Sequence, residues 1–244
     1  MHFRSILCRL ALILLAAFGS AAAAEPLTPE QKDAVEALIR DYIAKHPDAI
    51  FDALQGVARS RQSESSKQLL AANREMLLAD PLSPVGGNAK GDVTVVEFFD
   101  YRCPYCKEVE PALEQLIAQD GKLRIVYKEF PILGPSSLYA SRIALGARDQ
   151  GRYDEFHRRM MGTKGTIDDA TVERVAKASG IDLAKAKEAI AAPEIDRILR
   201  RNYVLAEKLQ IQGTPAFVIG DELVQGIADI DTLKHLIAEA RKGG

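Results

Sequence analysis

Across residues 92–121 the chain reads DVTVVEFFDYRCPYCKEVEPALEQLIAQDG. A β-branched and aromatic run, the mark of a buried strand, passes into helical periodicity. The changeover falls on two cysteines, Cys103 and Cys106, with only Pro104 and Tyr105 between them. A second strand pattern follows at once in KLRIVYKEFP, residues 122–131. Strand, helix, strand at this spacing is the unit of a parallel sheet, whose crossover is nearly always right-handed. No other feature of the sequence restricts the fold as strongly.

The rest of the chain is read outward from that unit. Helical stretches are predicted over Ser136–Gln150, Arg152–Met161, Asp168–Ser179, Leu183–Ala191 and Glu194–Leu209. Strand signals return at TPAFVIGDELVQG, where Gly220 and Asp221 supply hairpin turn chemistry. The amphipathic DIDTLKHLIAEARKG closes the pattern. The expected fold is therefore α/β, in the order βαβ, a helical insert over about 135–208, then ββα, within a domain spanning 86–244.

Ahead of it, LTPEQKDAVEALIRDYIAKHP opens with Thr28, Pro29 and Gln31, a capping box with proline at the first helical position. Val35, Leu38, Ile39, Tyr42 and Ile43 form one apolar face, and Ile50, Phe51, Leu54 and Val57 form another after Pro47. That stripe fades through ARSRQSESSKQ and returns at Leu69, Leu70, Met76 and Leu77. DPLSPVGGNAKGD reads as a linker or tight entry loop. Residues 25–85 are thus expected to be a helical oligomerisation region plus linker, making a dimer or trimer. Two amphipathic helices need a partner surface, either the domain beside them or another copy of themselves.

Residues 1–24 combine Arg4 and Arg9, a short apolar run and small residues ending at Ala24. This predicts a cleaved secretory signal and a soluble chain in the periplasm, since the apolar run is shorter than the ~20 residues of a spanning helix. The third cysteine, Cys8, leaves with it. Losing Arg4 and Arg9 from 32 basic residues, against 34 acidic ones, deepens a mild negative charge and argues against nucleic acid. Trp is absent and aromatics are 6%, so a sugar-stacking groove is not expected.

A lone C-x-x-C admits three readings. A zinc site wants two more thiolates or imidazoles, and His46, His157 and His235 are scattered over predicted helices. A structural staple across so short a loop removes little chain entropy. A redox pair is favoured by its place between strand and helix: Cys103 meets the positive end of a helix dipole, which stabilises thiolate over thiol. Cys106 lies one turn in, within bonding reach but less accessible, so Cys103 attacks and Cys106 resolves. Asp100 and Arg102 are expected to be solvated charges, and FHRRMM, with His157, Met160 and Met161, a mixed core face more than a copper site.

VVEFFDYRCPYCKEVEP together with GTPAFVIG resembles the DsbA family of thioredoxin-fold proteins over roughly residues 92–244. The extension before C-P-Y-C is similar to the suppressor-of-copper-sensitivity protein C (ScsC) group. The resemblance implies a thioredoxin fold with an inserted helical subdomain, and a cis Thr214–Pro215 bond beside the cysteines. It implies that Pro104, Tyr105, Thr214 and Pro215 support substrate docking, and that Glu97 is a buried acid relaying a proton to Cys106. Lys128, in VYKEF, is implied as that acid's partner. The activity implied is thiol–disulfide interchange on unfolded or misoxidised exported proteins, as isomerase or reductase fed by a membrane thiol–disulfide electron donor, without a cofactor. A dithiol oxidase and a copper-handling or chaperone module that takes Cu(I) on its thiols are the other readings.

Overall fold

The structure, a computed structural model, describes residues 26–243. The expected leader and Cys8 lie outside the described residues. No described helix is long and apolar enough to cross a membrane.

Contacts divide the chain into two compact units, one up to Ala58 and one from Arg59 onward. In the first, α1 (Pro29–Lys45) begins as its capping pattern requires. The Thr28 hydroxyl accepts from the Gln31 N–H at 3.3 Å, and the Gln31 side chain accepts from the Thr28 N–H at 2.9 Å. None of the α1 residues is buried. Pro47 opens α2 (Pro47–Ala72), within which the division between the two units falls.

In the second unit, α3 (Arg74–Leu78) and the short strand β1 (Val85–Gly87) precede β2 (Val93–Phe99). Helix α4 (Pro104–Gln119) then crosses to β3 (Leu123–Glu129), which pairs parallel with β2. The insert is α5 (Pro135–Gly146), a 3₁₀ turn at Arg148–Gln150, α6 (Tyr153–Met161), α7 (Asp169–Ala178), α8 (Leu183–Ala191) and α9 (Pro193–Lys208). Asp168 and Asp182 cap α7 and α8 by accepting from backbone N–H groups of the first turn. The chain returns through β4 (Ala216–Ile219) and β5 (Glu222–Gln225) and ends in α10 (Ile230–Gly243). Gly220, at φ +59, takes the left-handed turn between β4 and β5. The sheet order is β1-β3-β2-β4-β5, with every pairing but β2–β3 antiparallel. The order is the one the sequence pattern predicts, with β1 added at the edge, and it is the thioredoxin fold that the resemblance implies.

Both faces of the sheet are covered, which is why β2 and β3 read as unbroken apolar runs. Val95, Phe99, Ile125, Tyr127 and Phe217 face the core shared with α4, α10 and the insert. Val96, Phe98, Val126 and Val218 face a second core, closed by Leu70, Leu77, Leu205 and Leu209.

Two expectations are corrected here. The proline- and glycine-rich stretch after Asp80 is no linker, because β1 lies within it and pairs Val85 with Val126. Its glycines serve close approach: a Cβ on Gly86 would lie 2.8 Å from the Tyr127 ring. Nor does the domain start at 86, since Leu70 and Leu77 are buried in its second core.

Lys128 is not the partner of Glu97. In the β2–β3 register Glu97 stands opposite Tyr127 while Lys128 stands opposite Phe98, so strand alternation sends the two side chains to opposite faces. The Lys128 ammonium is buried under the other face. It donates to the Met76 carbonyl at 2.6 Å, the Ser83 hydroxyl at 2.7 Å and the Asp80 carboxylate at 3.4 Å. Burial pulls it down to about 8, against the Asp80 charge that holds it up. Replacing Lys128 by Met leaves Asp80 buried with the Leu82 N–H, the Ser83 hydroxyl and, as its remaining cation among the described residues, Arg201 at 3.4 Å. Lys128→Met should lower the unfolding free energy by about 3 kcal/mol, as breaking a buried pair does. It should leave the alkylation profile of the cysteines unchanged. Denaturant unfolding and thiol titration check both halves, and an altered thiol profile would reinstate Lys128 in the site.

Candidate active site

β2 delivers the chain at Phe99, and Asp100 to Arg102 turn it so that Cys103 becomes the cap of α4. Cys103 is extended (φ −71°, ψ 118°), and Pro104 occupies the first turn, where no N–H is needed. The Cys103 Sγ accepts from the Cys106 N–H at 3.4 Å. Unpaired N–H groups and the helix dipole converge on that sulfur. Its thiol is drawn down to about 6, chiefly by the hydrogen bond from the Cys106 thiol. Thr214 and the N–H groups of Cys106 and Tyr105 add to this, while burial opposes it. Cys106, fully buried one turn in, is pushed far upward by burial, by its bond to Cys103 and by the charge of Glu97. Both thiols are free in the structure. The two sulfurs are therefore strongly unlike: one holds negative charge, the other holds the proton.

Thr214 closes the site from β4. The Thr214–Pro215 bond is cis, and the Cys103 Sγ lies 3.2 Å from the Thr214 carbonyl oxygen, to which it donates while it keeps its proton. Pro104 and Tyr105 stay exposed at the tip of the motif.

Asp100, expected to be solvated, is completely buried. Its carboxylate accepts from the backbone N–H groups of Arg102 at 2.7 Å, Ile132 at 2.8 Å and Leu133 at 2.9 Å. Arg102 stays exposed and donates to the Leu133 carbonyl at 2.6 Å. Together they fasten the loop after β3 to the cysteine turn and present Ile132 and Leu133 to solvent. Lys107 does similar work on the other side. Its ammonium donates to the carbonyls of Met160, Met161 and Thr163 at 2.7, 3.1 and 2.8 Å, tying α4 to the end of α6. Burial brings it down to about 8.

Below Cys106 lies a buried acidic group. Glu97 is wholly inaccessible and makes no hydrogen bond. Burial, then the charges of Glu110, Glu129 and Glu114, raise its carboxyl well above the ordinary range. Glu110 projects from α4 one turn beyond Cys106, and its carboxylate oxygens are also without hydrogen-bond partners. His157 arrives from α6, and donor atoms of Glu97, Glu110 and His157 all lie within 4.8 Å of one another. Met160 and Met161 are buried beside it in the same core, as the mixed-face reading expected. A second, satisfied acid completes the region. Glu129 accepts from the hydroxyls of Tyr153 at 2.8 Å, Tyr101 at 3.1 Å and Ser141 at 2.7 Å, and burial raises it to about 7.

The fold thus gathers Cys103, Pro104, Tyr105, Cys106, Glu97, Thr214 and Pro215 at one end of the sheet and leaves Lys128 on the far face. The sequence reading takes Asp100 for a solvated charge and His157 for part of a mixed core face, and it does not single out Glu110 or Glu129. Glu110 was within its reach, because it lies four residues after Cys106 on a helix whose inner face Cys106 already marks.

The DSBA-like thioredoxin domain matches residues 94–238, from β2 into α10. A thioredoxin-like oxidoreductase from Silicibacter pomeroyi is 43% identical, with a TM-score of 0.69 over 70% of this chain and 99% of that one. Proteus mirabilis ScsC in a transitional conformation is 32% identical, with a TM-score of 0.68 over 92% of this chain and 100% of that one. Among curated proteins, the Na(+)/H(+) antiporter NhaA 3 of Salinispora tropica is 27% identical over 190 residues, 75% of this chain. The chain spans only 29% of that antiporter's length. With more than half of its residues matched by one domain, and with that domain's fold, the chain belongs to the DSBA-like thioredoxin family.

Proposed function

We propose that the protein is a periplasmic thiol–disulfide interchange protein acting on exported polypeptides, with the character of a disulfide isomerase or reductase. The observation that carries this is the polarisation of the two sulfurs. Cys103, drawn down to about 6, is a thiolate at neutral pH, whereas Cys106 keeps its proton. The Cys103 thiolate attacks a substrate disulfide, forming a mixed disulfide and expelling the other substrate sulfur with the electron pair. Cys106 then gives its proton to Glu97 and attacks the Cys103 sulfur. The Cys103–Cys106 bond forms, the substrate leaves as a thiolate, and that thiolate takes a proton from water. A membrane electron donor returns the pair to the dithiol. Ile132, Leu133 and Tyr105 offer exposed apolar surface for an unfolded client.

The same lowered thiol favours the reduced form and makes the disulfide an oxidant, which supports a dithiol oxidase as the second reading. The isomerase reading draws on the first unit. Leu38, Phe51 and Leu54 are 69%, 60% and 64% exposed, more apolar surface than a lone helix pair leaves in water. We assign these faces to self-association, which sets several active sites around one client and shields Cys103 from reoxidation.

Rescue of scrambled ribonuclease should vanish in Cys103→Ala, whereas Cys106→Ala should accumulate substrate mixed disulfides; equal, trap-free loss in both rejects the assigned roles. Iodoacetamide should alkylate Cys103 with a midpoint near pH 6. Between about pH 6 and 9 an unfolded thiol still holds its proton while native Cys103 has lost it. The stability of the reduced protein should therefore rise with pH across that window and fall as the pH drops through 6. A flat stability profile there contradicts the stabilised thiolate. Leu38→Glu combined with Phe51→Glu should reduce the mass seen by light scattering to one chain and lose isomerase yield while oxidation of reduced ribonuclease survives. An unchanged mass removes the first unit from the assembly.

A further inference from the structure

His157 is buried and takes part in none of the steps above. Four aromatic rings surround it: Tyr127 at 4.4 Å between ring centroids, Phe99 at 4.8 Å, Tyr101 at 5.6 Å and Tyr153, stacked, at 6.0 Å. Its Nδ1 lies 3.3 Å from the Tyr101 hydroxyl, and its Nε2 lies 3.4 Å from a Glu110 carboxylate oxygen.

Hydrogens can be counted along this line. The Tyr101 hydroxyl gives its one hydrogen to Glu129, so a hydrogen in the contact with Nδ1 must come from the ring. The Nε2 atom and the Glu110 oxygen lie at ion-pair distance without hydrogen-bond geometry, so what that contact rewards is positive charge on the ring. A ring protonated on both nitrogens meets Tyr101 through Nδ1–H and sets its charge beside an ionised Glu110, whereas a neutral ring meets Tyr101 and leaves that carboxylate unbalanced. The surroundings favour that cation. Glu110 and Glu114 of α4, Glu97 of β2 and Glu129 of β3 are acidic, and aromatic faces attract positive charge. On its own helix Asp154 adds a further acid, while Arg158 is engaged at the surface by Glu155 at 2.9 Å. Tyr127 and Tyr153, both pushed upward by burial, stay neutral. The other ammonium groups nearby are committed: Lys107 to three carbonyls and Lys128 beneath the opposite face of the sheet.

We propose that His157 is the buried cation of the catalytic centre, an imidazolium paired with Glu110 that holds Glu97 ready to receive the proton of Cys106. It is a positioning residue, acting through the two carboxylates. Two adjacent carboxylates in an apolar interior cannot both ionise unaided, so without the cation one proton stays trapped between them. With it, Glu110 is balanced and Glu97 is the site left open. The proton then has an exit, because Glu110 also lines a small surface cavity of about 180 Å³ with Lys107, Glu114 and Arg158.

The inference rests on the proposed exchange chemistry and its Glu97 relay, and the test separates the two. The rate of resolution of a mixed disulfide between Cys103 and glutathione is measured against pH in wild type, His157→Gln, Glu97→Gln and the double variant. Removing a positive charge raises the proton affinity of Glu97, so His157→Gln should move the midpoint of the profile upward by about one unit. Resolution should be about tenfold slower below the old midpoint and recover at higher pH. In the Glu97→Gln background, His157→Gln should add no shift. If Glu97→Gln leaves the profile intact, the relay fails and the inference with it. If Glu97→Gln alters the profile but His157→Gln does not, the relay stands and the inference falls. The wild-type protein gives a readout independent of any variant's folding. The imidazole ¹⁵N resonances of His157 in the dithiol form should show two protonated nitrogens at neutral pH, and a singly protonated ring overturns the proposal.

Discussion

The parallel register of β2 on β3 decides the chemistry of both sides of the sheet. With Glu97 opposite Tyr127 and Phe98 opposite Lys128, the carboxyl of β2 and the ammonium of β3 go to opposite faces, and Glu129 at the end of β3 joins Glu97 on its side. Both faces are covered, so each charge has to be met where it lies. On one face Lys128 finds Asp80, Ser83 and the Met76 carbonyl, all from the segment that leads into β1. On the other, Glu97 finds Glu110 and His157. A one-residue slip of register would turn one strand's side chains over and bring Glu97 and Lys128 to the same face.

Helix α4 turns that division into reactivity. Its first turn gathers N–H groups around the Cys103 sulfur and sets Cys106 on the buried side, and its second places Glu110 along that same side. One helix thus holds a negative charge at its tip and an acid one turn beyond the buried Cys106 sulfur. The turn itself cannot wander, because the Asp100 carboxylate binds three backbone N–H groups from two separate segments. Charge-assisted bonds of this kind are among the stronger hydrogen bonds available to a protein. Asp100 therefore acts as an anchor for the loop that carries Ile132 and Leu133.

The parts that were legible in the sequence are those governed by local rules. Capping residues, the strand-to-helix change at Cys103 and the turn at Gly220 follow from the backbone needs of one segment, and the structure has them where those needs are written. The insert helices were found to within a few residues because each has its own apolar period and start signal. What was not legible depended on register and on glycine packing. Lys128 and Glu97 both lie in strands and look like a pair until strand alternation separates them. Gly86 and Gly87 look like linker residues until Tyr127 and the Leu123 carbonyl are seen pressing on them. Asp100 looked solvated because its three donors are main-chain groups, two of them more than thirty residues away. His157 reads locally as part of a mixed helical face, since its polar partners come from α4 and the turn after β2.

The buried acids divide in a way that bears on what each is for. Glu129 receives hydroxyls from Tyr101, Tyr153 and Ser141, contributed by the cysteine turn, α6 and α5. A carboxylate satisfied by three donors in a low-dielectric interior is rigid, and it welds the insert to the sheet. Glu97 and Glu110 receive no hydrogen bond. An unsatisfied pair of this kind is destabilising, and a fold that needed only adhesion at that point would gain from two apolar side chains. Their position under Cys106, with one histidine bridging toward the satisfied network, is where an ability to change protonation is worth that loss. The insert therefore reaches the cysteines by two routes, a fixed one through Glu129 and a second through His157 and the two unsatisfied carboxyl groups.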